Sequence, residues 1–155
     1  MKTKQLTTHL MSCSEIELYF KRPLFNSMIS ITQPEDAVKV LRQYLNPKTL
    51  DLREVFWLLT LTNSNRLISV SEVTTGTSKG VQISHKLILQ LALKTNASAI
   101  IVAHNHPSGT LKISEGDRRE TNKLKTLSNL MEITLLDHLI ITSESYLSFA
   151  YEREL

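Results

Sequence analysis

The run His104-Asn105-His106-Pro107-Ser108-Gly109 places two imidazoles two residues apart, and a carboxylate, Asp117, follows eleven residues after the second. Residues i and i+2 of an extended chain project to the same side, so both rings can address one ion. Pro107 stiffens the chain after the second histidine and Gly109 lets it turn, so a following helix can deliver Asp117 from its first turn. Two imidazoles and a carboxylate suit zinc, with a fourth position left to water. Manganese or iron could be held by the same donors. Such a centre hydrolyses nothing without a base to move the proton. The upstream acids are Glu35, Asp36, Asp51, Glu54 and Glu72. Glu72 is the most attractive, because it ends a β-like run just before a Thr-Thr-Gly-Thr loop and strand geometry can aim it. The competing reading is an ordinary exposed strand-end glutamate.

Ser114 and Asp117 are also three residues apart, the spacing of a helix capping box. Capping and site roles are compatible, since the serine hydroxyl can serve the helix or face the site.

The elements that must position these groups follow from periodicity. Thr32-Gln33-Pro34-Glu35-Asp36 opens a helix with an N-cap threonine and an acidic first turn, and Ala37, Val38, Leu41 and Leu45 continue at helical spacing. Two β-like runs, 54–62 and 66–73, flank Asn63-Ser64-Asn65 and predict a hairpin. A helix over 84–95 buries Leu87, Ile88, Leu91 and Ala92. The run 97–103 is expected as a buried central strand, parallel to an earlier one, so the His-rich loop lies past a strand's C-terminal end, where α/β proteins place ligand sites. A third helix, 114–131, turns Leu124, Leu127 and Leu130 or Met131 inward, and 133–142 and 146–151 read as two final strands. Residues 1–26 read as an arm or adapter, with a short alternating stretch at 16–20. Residues 27–151 form the compact domain, and 152–155 a tail.

The chain has 155 residues, 41% hydrophobic and 21% charged, enough for one domain with its own core. Its apolar runs are too short to cross a bilayer, and no signal peptide is visible. The single cysteine, Cys13, excludes an internal disulfide and points to a reducing, cytoplasmic compartment. A net charge of +3 is compatible with nucleic-acid contact but equally with ordinary solubility. His85 is expected to be solvated and His9 incidental. Trp57 reads as core, and Asp137-His138 as a buried polar pair that is structural first and outer support for metal ligands second. Arg118, Arg119, Lys123 and Lys125 make a solvated helix face.

His104-Asn-His-Pro-Ser-Gly, Ser114-x-x-Asp117 and Asp137-His-Leu-Ile-Ile together resemble the RadC-like branch of the JAB/MPN (JAMM-motif) zinc metalloprotease superfamily, over roughly residues 27–151. The resemblance implies an α/β fold with a curved mixed sheet flanked by helices. It implies zinc on His104, His106 and Asp117, Glu72 as the upstream glutamate, and Ser114 as the hydroxyl that steadies an oxyanion. It thus implies a hydrolase acting on a peptide or protein substrate through its peptide or isopeptide bonds; the short apolar runs add the expectation of no membrane partner. A nucleic-acid-associated accessory role and a metal-stabilised, non-catalytic interaction domain are the alternatives. The 26 residues ahead of the domain are too few for the helix-hairpin-helix of longer RadC-like proteins. The loop 76–84 and a cleft beside Asn105 are expected to select the substrate.

Overall fold

The computed structural model describes residues 16–75 and 83–155. Cys13, His9 and most of the 76–84 loop therefore lie outside the described residues. The elements are α1 (Pro34–Tyr44), β1 (Val55–Leu61), β2 (Leu67–Thr75), α2 (His85–Lys94), β3 (Ala99–Asn105), α3 (Glu115–Leu130), β4 (Thr134–Ile141) and β5 (Tyr146–Ser148). The strands form one mixed sheet in the order β2-β1-β3-β4-β5, giving an α/β fold of the MPN (JAB) type. Residues 16–20 carry no strand and are exposed, so the alternating stretch there does not join the sheet.

Each local signal has a physical counterpart. The Asp36 carboxylate accepts from the backbone N–H groups of Thr32 and Gln33 and starts α1, with Gln33 rather than Thr32 at the cap position. Ser84 caps α2 by accepting from the Leu87 N–H. The β1–β2 hairpin turns through Asn65 at φ 56°, a left-handed conformation that asparagine tolerates better than most residues.

Central strand β3 is buried throughout, as expected, but its pairing with the earlier strand β1 is antiparallel. Its parallel partner is β4, which comes later in the chain. A strand buried on both faces shows the same apolar run whichever way its neighbour points, so the local pattern carries no direction.

Alternation along the strands sorts the core into two layers. On one face, Trp57, Leu59, Ile101, Ala103, Leu139 and Ile141 pack with Ala37, Val38 and Leu41 of α1. On the other, Phe56, Leu58, Ile100 and Val102 pack with Ile88 of α2 and Leu124 of α3. Burying one such aliphatic side chain fully stabilises the fold by about 1.5–3 kcal/mol. The inward face of α3 is Thr121, Leu124 and Ser128; Leu130 and Met131 are exposed instead of buried. The chain after Tyr151 folds back: Glu154 pairs with Arg118 at 2.9 Å, and Leu155 packs beside the core.

Candidate metal centre

At the end of β3 the strand parity splits consecutive residues. His104 stands opposite Phe56 and faces the α2–α3 side. Asn105 points to the opposite face, and His106 follows just beyond the strand, held by its N–H to the Ile141 carbonyl. Gly109, at φ 77°, takes the turn that a side chain would strain, and its N–H returns to the His106 carbonyl. The chain then enters α3 at Ser114, whose hydroxyl accepts from the Asp117 N–H while Asp117 accepts from the Ser114 N–H. The capping box and the delivery of Asp117 are therefore one structure.

His104 Nε2 lies 2.9 Å from His106 Nε2 and 3.3 Å from Asp117 Oδ1, and His106 Nε2 lies 3.8 Å from Asp117 Oδ2. Tetrahedral zinc with ligands at about 2.0–2.2 Å separates its donors by roughly 3.3–3.5 Å, so the three spacings bracket the required value. Among the described residues these three are the one group of histidine, cysteine and acidic side chains close enough to share an ion.

Hydrogen-bond directions test the fit independently. His106 Nδ1 meets the Thr110 carbonyl at 2.7 Å. A carbonyl only accepts, so Nδ1 carries the proton and a neutral His106 presents a lone pair at Nε2. Thr121 donates its hydroxyl to the Asp117 carbonyl and accepts from His138 Nδ1 at 2.6 Å. His138 is fully buried, and burial above all holds its pKa well below the ordinary histidine value. Neutral and protonated at Nδ1, His138 offers only a lone pair at Nε2, which accepts from His104 Nδ1 at 2.7 Å. A neutral His104 then also turns an unprotonated Nε2 into the cluster. Two lone pairs 2.9 Å apart beside a carboxylate repel one another unless a cation lies among them. The donor set fits a divalent metal.

The electrostatics agree. Burial works against ionisation of Asp117, but the neighbouring His104 ring, with the two bonds from Ser114, outweighs it and holds the carboxyl well below its usual range. The His104 side chain is 2% exposed, whereas those of His106, Asp117 and Glu54 are 18%, 16% and 23% exposed. The centre is walled on the core side and open on the other.

The glutamate beside this centre is Glu54, whose Oε1 lies 4.0 Å from His104 Nε2. Glu72 is not brought there. It pairs with Trp57 and lines a small cavity with Tyr44, Arg53 and Trp57 on the α1 side of the sheet. The cause is a β-bulge beside the turn: Leu61 faces Leu67 but Thr60 faces Ser69, so Ile68 is an extra residue on β2. Without that bulge Glu72 would oppose Phe56 and share the face of His104. Sequence reading included Glu54 among the acids but had no signal to prefer it.

Other sites resolve individually. His85 is not solvated; its Nε2 lies 3.2 Å from Glu120 Oε2 between α2 and α3, apart from the metal cluster. Trp57 is core, as expected. Asp137 and His138 divide their roles: His138 supports His104, while Asp137 faces away and accepts from Ser148 Oγ and the Ala150 N–H. Asn105 is fully buried and lines the small cavity on the α1 side, across the sheet from the metal cluster.

The sequence matches the family described as the RadC-like JAB domain over residues 31–155. The chain belongs to that family. Relatives of this RadC-like JAB domain include the UPF0758 protein of Flavobacterium johnsoniae, 37% identical over 79% of this chain and 52% of that protein. The UPF0758 protein of Haemophilus ducreyi is 46% identical over 65% of this chain and 45% of its own length. That of Histophilus somni is 38% identical over 91% and 62%. The chain thus spans about half the length of these curated relatives. No helix among the described residues is long and apolar enough to cross a membrane.

Proposed function

We propose that this RadC-like JAB domain is a zinc-dependent hydrolase of peptide or isopeptide bonds, with His104, His106 and Asp117 holding the metal. The observation that carries the reading is the convergence of two imidazole nitrogens and a carboxylate at an open edge, with an acid 4.0 Å from the nearer imidazole. Zinc, when bound, supplies Lewis acidity and a water of lowered pKa.

The chain's own residues do the rest. Glu54, rather than Glu72, takes the proton of the attacking water on its carboxylate and returns it to the departing nitrogen. His138 and Thr121 keep the proton of His104 on Nδ1, so that Nε2 stays available. Ser114 Oγ donates to Asp117 Oδ2 at 2.7 Å and orients that carboxylate. Its hydroxyl is also the donor nearest to hand for a developing oxyanion, a role that requires it to exchange partners. The substrate is a peptide or protein.

The nucleic-acid alternative leans on the net charge of +3, which ordinary solubility explains equally. The test is a cleavage screen of a proteome with the zinc-loaded chain and its Glu54→Gln variant. Products that appear with wild type and vanish with the variant are the expected result. Identical product sets from both, or none from either, would sink the hydrolase reading.

A further inference from the structure

We propose that Asn105 is a positioning residue whose buried amide ties the segment from Leu50 to Val55 onto the end of β3 and thereby sets Glu54 beside His104. The inference rests on the reading of Glu54 as the base and says what holds it in place.

Asn105 lies between the two histidine ligands, so strand alternation sends its side chain to the opposite face. There it is fully buried, where an amide must be satisfied. Its Oδ1 accepts from the Val55 N–H at 2.7 Å, and its Nδ2 donates to the carbonyls of Leu50 and Arg53 at 2.6 and 2.9 Å. The β1–β3 ladder ends at the Phe56–His104 pair. One residue further, the side chain of Asn105 takes over from the backbone and closes one more rung. Two of its three bonds fall on the residues flanking Glu54, so Glu54 leaves a backbone fixed on both sides. An apolar residue could fill the same space, but it would strip the buried Val55 N–H and Leu50 carbonyl of these partners and release the Arg53 carbonyl. Aspartate would keep the volume and set oxygen against the two carbonyls.

The test uses the full chain loaded with Co²⁺, its glutamates labelled with ¹³C at the carboxyl carbon. The paramagnetic ion displaces the NMR signal of a nearby carboxylate, and Glu54→Gln identifies that signal by deleting it. In wild type one glutamate signal should be strongly displaced, and the Val55 amide should exchange with solvent at least about tenfold more slowly than an unstructured amide. Asn105→Ala and Asn105→Asp should still bind cobalt but lose most of that displacement. The Ala variant should also exchange at Val55 about tenfold faster than wild type.

An unchanged Glu54 signal in both cobalt-loaded variants would overturn the proposal. So would fast Val55 exchange in wild type, a measurement that stands even if both variants fail to fold. Should the variants displace Glu54 while Glu54→Gln leaves turnover untouched, the positioning role stands and the base assignment falls.

Discussion

The two faces of the sheet meet the same stretch of chain at the end of β3 and use it in opposite ways. On the α2–α3 face, His104 and Glu54 present polar groups to an opening, and the second histidine and Asp117 close the ligand set. On the α1 face, one residue away in sequence, Asn105 spends every bond inward on backbone. The glutamates divide likewise, Glu54 beside the imidazoles and Glu72 across the sheet. A residue's chemistry here is set by its parity on the strand, and parity is set by bulges. The extra Ile68 on β2, between the Leu61–Leu67 and Thr60–Ser69 pairs, turns Glu72 away, and an extra Leu136 on β4, between the Ile100–Leu135 and Ile101–Asp137 pairs, turns His138 toward the site and Asp137 away.

The largest expected contrast is between the two glutamates. At equal zinc occupancy, Glu54→Gln should lower kcat on a cleavable peptide by about 10²–10⁴-fold, while Glu72→Gln leaves it near wild type. The reverse outcome would put the working base on the wrong face. A smaller effect separates the two neighbours on β4. His138→Phe, which removes the acceptor for His104 Nδ1, should weaken zinc binding by about 10–100-fold in a chelator competition. Asp137→Asn should leave zinc binding unchanged.

The smallest effect is a pH slope on the α1 side. Burial raises the pKa of Asp137, although bonds from Ser148 and the Ala150 and His138 N–H groups oppose it. The folded chain therefore keeps this proton to higher pH than the unfolded chain. Its stabilisation is full below the unfolded value of about 3.9 and is lost as pH rises through the folded pKa. Urea unfolding should show the stability of wild type relative to Asp137→Asn declining over that window, by at most about 1.4 kcal/mol per pH unit. A flat difference would mean the carboxyl is not raised.

Much of this was legible in the sequence, for reasons particular residues show. Ala37, Val38 and Leu41 recur at helical spacing because one face of α1 is buried. His104 and His106 converge, and Asp117 arrives on the first turn of α3, because extended and helical periods are local properties of the chain. What depended on pairing was not legible. The direction of β1 relative to β3 is invisible in a strand buried on both faces, and so is the face of Glu72, which one inserted residue reverses. The anchoring role of Asn105 carries no local signal either. Its three backbone partners lie 50 to 55 residues away, beyond any local pattern.

The most direct measurement is the zinc content of the purified chain beside that of Asp117→Ala, with circular dichroism to show that both are folded. The account predicts about one zinc per wild-type chain and almost none in the variant. A folded wild type that binds no zinc at micromolar concentration, or a variant that holds it as tightly, would contradict the centre itself.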